Sequence, residues 1–364
     1  MDASNIINQQ LEAMELEELQ NLMQTARQQG DPFSGITLES IVKGMLSGKP
    51  ILDLNALTDG LYRMFFHQIF DTITFGVEIL LICIFIGLLS SLSNSFGDHT
   101  VSRLAVIICN SSVIALSLHS FLSIYQLCLS TVELMAASMQ ALLPVLATLM
   151  ISMGSFASGG TLHPMIMGAV TISVTVIQRY LLPAVFLSCV ILLINSLTER
   201  SYMKKLGLFL RGFSIFAMGL LVTLFSGVTA IQGMISRSAD GMLAKTARYS
   251  VDHFVPFIGG FAADSLDLIL SCTLLIKNGI GIFGLILILT YLLTPLLKTI
   301  SVALIYKVCA LLIEPIGNQT ISDSINEVGN TVVILAVMLF LAALMFLIFL
   351  VVIISVGNGG ILTR

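Results

Sequence analysis

Four charged side chains stand inside or beside apolar runs: Glu78, Arg179, Arg211 and Lys277. A charge in such surroundings is costly unless it is paired or wetted, and it marks an ion path, a proton relay or a helix contact. Lys277 carries the most information. It separates two apolar half-segments and is followed by Asn278-Gly279, a pair that favours a helix break. A broken helix at membrane depth is tolerated only where it is buried in protein or lines water. Lys277 and Asn278 therefore read as part of a pore, a cavity or a subunit contact, with an interfacial turn as the competing reading. Glu78 lies about a turn inside an apolar segment and reads as a pathway residue or as a side chain that pairs or snorkels. Arg179 stands between two short apolar segments. Arg211 follows a basic loop, while Glu133 and Lys307 sit near segment ends, and these three read as snorkelling.

The remaining motifs build no catalytic site. Gly279-Ile-Gly281-Ile-Phe-Gly284 matches a dinucleotide fingerprint but follows no strand, so close helix packing at small residues is the better account. His67, His99, His119, His163 and His253 are scattered without ligand spacing. Neither GxSxG nor GxxxxGK[ST] occurs. Cys83, Cys109, Cys128, Cys189, Cys272 and Cys309 lie in apolar stretches without CxxC spacing and read as buried thiols. Asn110-Ser111-Ser112 reads as glue between helices. The expectation is a protein that is not an enzyme and holds no cofactor or metal.

These residues sit in a chain whose solvent is lipid. Residues 329–363 carry no ionisable side chain, and the apolar run over 331–356 exceeds the roughly 20 residues that cross a bilayer. The 364 residues are 56% hydrophobic and 10% charged, where a soluble domain carries roughly 25% charged. The predicted class is an all-α polytopic membrane protein with about seven to nine transmembrane helices, some short or broken. Residues 1–71 hold ten acids against four bases and read as an acidic extracytoplasmic region. An amphipathic helix is expected over 5–28, a second after Thr37, and a third after Asp53. Leu57, Leu61, Phe65 and Ile69 make a stripe on that third helix, facing either lipid or protein. Residues 72–356 form the transmembrane domain and 357–364 a short tail. Expected spans are about 73–93, 104–127, 132–153, 207–230, 280–297, 299–313 and 331–356. Residues 162–197 form a pair of crossings or a re-entrant hairpin meeting at Gln178-Arg179. A half-helix over 265–276 ends at Lys277, and 231–264 is a polar stretch.

Basic residues of short loops set orientation. Arg200, Lys204 and Lys205 place their loop in the cytoplasm, which puts the N-terminal region and the acidic loop 314–330 outside and requires an odd number of crossings. A weak internal echo aligns Asp264-Ser265 with Asp323-Ser324, each at the start of an apolar segment, as paired helix entries would be. A net charge of −4 and the lack of a Lys/Arg run argue against nucleic acid as a partner.

Three strings carry a family resemblance: LLPVLATLMISMGSFASGGTLHP at 142–164, GVTAIQGMISRSADGMLAKTARYSVDHFVPFIGGFAADSLDLILSCTLLIKNGIGIFG at 227–284, and LLIEPIGNQTISDSI at 311–325. They resemble the stage III sporulation protein AE family of endospore-forming bacteria, from about Leu54 to the last span. The resemblance implies a multi-pass component of the stage III A complex in the mother-cell membrane around the forespore. It further implies a transenvelope channel or secretion apparatus, built with ring-forming and ATPase components and, indirectly, stage II sporulation protein Q. Late forespore gene expression would depend on it. The implied partners also include membrane lipid and further copies of the chain, with the N-terminal region in the intermembrane space. The family usually carries a signal peptide; the acidic start of this chain does not read as one. The competing readings are an autonomous ion- or solute-coupled transporter using Lys277 and Glu78, and a platform that conducts nothing.

Overall fold

Hydrocarbon offers backbone amides no partner, so a chain this apolar folds as helices that satisfy their own N–H and C=O groups. In the computed structural model, all regular structure among the described residues is helical. Those residues are 38–47, 54–96, 99–153, 155–197, 203–254, 259–316 and 319–356. Helix α1 (Leu38–Ser47) begins directly after Thr37, and α2 (Leu54–Phe96) directly after Asp53, where the sequence predicts helix starts. Then come α3 (His99–Ser152), α4 (Phe156–Val176), a π turn (Ile177–Leu181) and α5 (Leu182–Leu197). Helices α6 (Lys204–Phe254) and α7 (Gly259–Ile313), a short 3-10 turn and α8 (Gln319–Ser355) complete the order. The helix expected over 5–28 and the tail at 357–364 lie outside the described residues.

Among the described residues, six stretches are long and apolar enough to cross a membrane: Tyr62–Phe85, Asn110–Ser152, Pro164–Ser196, Lys204–Ser236, Leu270–Ile313 and Ile321–Ser355. The all-α polytopic class is as expected, and the count is close to the anticipated seven to nine. The difference lies in continuity. Helix α7 runs unbroken through Lys277-Asn278-Gly279, so the expected half-helix does not end there. The stripe helix and the first span are one helix, α2, and the expected spans 104–127 and 132–153 are one helix, α3. The polar stretch after 231 is helical to Phe254. Residues 162–197 make no hairpin: α4 and α5 join end to end through the π turn, where the Leu182 N–H reaches back five residues to the Ile177 carbonyl. Pro183 is the physical cause. Its ring crowds the carbonyl four residues earlier, on Arg179, and it has no N–H to offer it, so the helix widens by one residue.

Contacts between helices fix their directions. Arg211 of α6 meets Glu327 of α8, and Phe225 stacks edge-on against Phe349 with centroids 6.3 Å apart, so α6 and α8 run parallel. Lys307 of α7 meets Asn326 of α8, while Lys277 meets Ile354, so α7 is antiparallel to α8. Tyr306 bonds to Ser117 of α3, and Ser188 of α5 bonds to Gly207 of α6 at 2.7 Å. The helix ends that flank residues 198–202 and 317–318 therefore share one end of the bundle, the Arg211 end. The 153–155 turn, the C-terminus of α8 and α1 share the other, the Lys277 end. This corrects the charge-based orientation, which set the first two connections on opposite sides and required an odd number of crossings. Taken as crossings, the six candidate spans of the described residues return the chain to the side on which α1 lies.

The glycine motif is a packing device. A Cβ on Gly279 would lie 2.9 Å from Val42 of α1, and one on Gly284 would lie 2.7 Å from Leu142 of α3. One on Gly281 would overlap Ile354 of α8. The chain thus brings α7 against three neighbours at contact distances only a missing side chain allows.

Two predictions follow from this arrangement. Thiols introduced as Ser201→Cys and Pro315→Cys are expected to react with an impermeant reagent from the same side of the membrane, and Ser155→Cys from the opposite side. Reaction of the first two from opposite sides would refute the parallel α6–α8 pair. Gly281→Ala is expected to lower the detergent melting temperature. Overpacking costs about 1–3 kcal/mol, which outweighs the gain of at most about 1 kcal/mol in helix propensity. Ile354→Ala in the same chain should recover part of the loss, and full stability of Gly281→Ala alone would contradict the close contact.

Candidate functional site

The polar groups at membrane depth gather around α8. At the Arg211 end, the Arg211 guanidinium donates to Glu327 Oε2 at 2.7 Å, with both side chains largely buried. One turn away, Lys307 Nζ donates to Asn326 Oδ1 at 3.1 Å and also to Asn330 Oδ1. Tyr306, fully buried, donates its hydroxyl to the Ser117 carbonyl at 3.0 Å. Ser322 closes the start of α8 onto the Ala310 carbonyl at 2.8 Å. Helices α6 and α7 are thereby joined to the first turns of α8 by charge-assisted and neutral hydrogen bonds, and Tyr306 ties α7 to α3.

Lys277 anchors the other end. It is fully buried, and its Nζ donates to the Ile354 carbonyl at 2.9 Å. The last four carbonyls of a helix have no partner within it. The Val356 N–H takes up those of Val352 and Ile353, and Lys277 serves the next one. A cation there also faces the negative end of the α8 dipole. Lys277 is thus a cap supplied from another helix.

The residues singled out in the sequence do not converge. Lys277 is buried at one end. Glu78 is exposed on α2, two residues from Gly76, whose missing side chain faces Ile305 and Cys309 toward the other end. Arg179 is exposed on the π turn. Asn278 is half-buried, and its Oδ1 accepts no hydrogen bond among the described residues. Phe65 is half-buried; the side chains of Leu57 and Leu61 lie outside the described residues. The outward line of α2 is Tyr62, Phe66 and Phe70, one register over from the expected stripe. Arg211 and Lys307 do not snorkel, because partners on α8 hold them. Glu327, read as part of an acidic loop, stands inside α8. The available signal was Asn326, Glu327 and Asn330 at helical spacing just before the last apolar run. Cys83, Cys128, Cys189, Cys272 and Cys309 are buried free thiols, as expected.

This architecture can be compared with known proteins. The family model described as stage III sporulation protein AE matches residues 36–357. The chain belongs to this family. A curated relative, Stage III sporulation protein AE of Bacillus subtilis (strain 168), is 30% identical over 298 residues, covering 82% of this chain and 75% of the relative. No solved structure matches. The matched span contains α1 to α8, and with them every polar contact described above. For this family member, the site is an inter-helix lock around α8.

Breaking one half of a buried ion pair strands the other half, at about 3–5 kcal/mol, whereas replacing both with apolar groups is often neutral. Glu327→Ala and Arg211→Ala are each expected to reduce the amount of folded protein in the membrane and its melting temperature. The double variant Arg211→Met/Glu327→Leu should restore most of both. A double variant as unstable as the singles would show that the pair contributes more than mutual neutralisation.

Proposed function

We infer that the chain is a non-catalytic membrane component of the stage III A sporulation apparatus, a transenvelope channel or secretion system between mother cell and forespore. The observation that carries this reading is the family match over residues 36–357, which takes in all six apolar spans. The apparatus would sit in the mother-cell membrane surrounding the forespore, with several copies of this chain working beside the ring-forming and ATPase components and, indirectly, stage II sporulation protein Q. The aromatic line Tyr62, Phe66 and Phe70 on α2, with the half-buried Phe65 beside it, offers contact surface to those partners or to lipid. An autonomous transporter using Lys277 and Glu78 together gains no support, since the two stand toward opposite ends of the bundle.

The test is genetic. In a spore-forming bacterium lacking its own copy, engulfment should finish while late forespore transcription collapses, and this chain should restore transcription when expressed in the mother cell. Normal forespore transcription in the deletion strain would remove the assignment.

A further inference from the structure

Helix α3 has two faces of opposite character. Phe121, Cys128, Met135 and Leu142 recur every seven residues and are buried. Two residues before each stand His119, Gln126, Glu133 and Gln140, also every seven residues, and all exposed. A two-residue step is about 200° around a helix, so the polar line lies opposite the buried one. Ser123 and Ser130, exposed as well, fill the positions between. At the end of the line, Pro144 has no N–H for the Gln140 carbonyl and so releases a main-chain acceptor there.

Lipid does not account for this face. Ser130 satisfies its own hydroxyl on the Leu127 carbonyl at 3.0 Å. Glutamine and glutamate at a helix surface have no such local outlet. The other outward faces of the bundle show what lipid contact looks like in this chain. Helix α6 exposes Phe209, Phe213, Phe216, Leu220 and Leu224, and α8 exposes Val333, Val337 and Phe340. From His119 to Gln140 the polar line spans about 32 Å, close to the whole thickness of a bilayer core. Exposed polar side chains at 119, 123, 126, 130, 133 and 140, with Ala137 in the last interval, put hydrophilic groups along most of that length, as a surface facing water requires.

We propose that the His119–Gln126–Glu133–Gln140 line of α3 faces a water-filled path for hydrophilic solutes, closed on its far side by a second copy of the chain. It rests on the reading of the chain as part of a channel and names the surface that lines it. Among the described residues nothing covers the line, so the described part of a single copy does not enclose it. A second copy brings an identical polar line at identical depth.

The experiment uses the full chain in sporulating cells, with the six native cysteines replaced and single cysteines introduced at His119, Gln126, Glu133 and Gln140. Controls are Phe216→Cys and Leu220→Cys on α6 and Met135→Cys on the buried face, and immunoblots of membranes check that each variant is present. The probe is a small, charged, membrane-impermeant thiosulfonate. The four line positions are expected to react at least about tenfold faster than the controls, because a thiol ionises in water and stays protonated in apolar surroundings. Rates as slow as those of the controls would overturn the path. So would copper-driven disulfides between copies at positions the reagent cannot reach, which would make the line a dry contact. Forespore transcription in the same strains separates this outcome from the functional reading. Normal transcription with an unreactive line removes the path and keeps the sporulation role, whereas a reactive line with no transcriptional dependence on the chain removes the role and keeps the path.

Discussion

A cation taken from water into the packed interior of the bundle must find a partner, and for Arg211, Lys277 and Lys307 that partner is on helix α8. Lys277 and Lys307 come from α7 and Arg211 from α6, yet all three end on α8, at its last carbonyls or on its first polar side chains. From Val328 to its end helix α8 carries no ionisable group, and left to itself this part would be an apolar rod free to slide or turn among its neighbours. Anchored at both ends, it has one register. A slip of one helical turn would carry Lys277 about 5.4 Å from the Ile354 carbonyl and Lys307 equally far from its amides. Each would then be an unpaired charge in an apolar medium.

The electrostatic anchors depend on close packing, which the glycines supply. Lys277 and Gly281 lie one turn apart on the same face of α7, and Gly281 meets the same residue, Ile354, whose carbonyl Lys277 serves. Any side chain at 281 would hold α8 away and lengthen that hydrogen bond. Gly284 does the same one turn further on, where Leu142 of α3 and Leu350 of α8 close over it. Sequence spacing thus couples a van der Waals contact to a polar one, and neither is stable in its present geometry without the other.

What could be read from the sequence and what could not divides along a physical line. The last span, the start of α2 after Asp53 and the packing role of the Gly279 motif were legible because composition and short-range pattern determine them. The break at Lys277-Asn278-Gly279 was expected from turn propensity. In hydrocarbon the cost of freed amides exceeds the preference of Asn-Gly for a turn, and the helix continues. The Arg211–Glu327 pair was illegible because the partners are 116 residues apart and nothing local marks them. Grouping Glu327 with nearby acids made a loop of a helix, and reading 280–297 and 299–313 as two crossings, where α7 is one helix, put residues 314–330 on the wrong side in the charge-based orientation.

The lock around α8 also narrows where function can reside. A residue that must bind or release something cannot at the same time be the fixed cap of a helix. Lys277 donates to Ile354, Arg211 to Glu327 and Lys307 to two asparagines, so the inner charges are committed to holding the bundle together. The membrane-depth polar groups left for exchange with a second molecule are those turned outward, such as Gln126, Glu133 and Gln140 on α3 and Arg179 on the π turn. An exposed carboxylate such as Glu133 at the middle of a bilayer core would cost about 2.5–3.5 kcal/mol in lipid alone. That cost falls on an isolated chain and is relieved in an assembly that supplies water or a partner. The same physics that makes the inner charges structural therefore makes the outer ones a reason for the chain to associate.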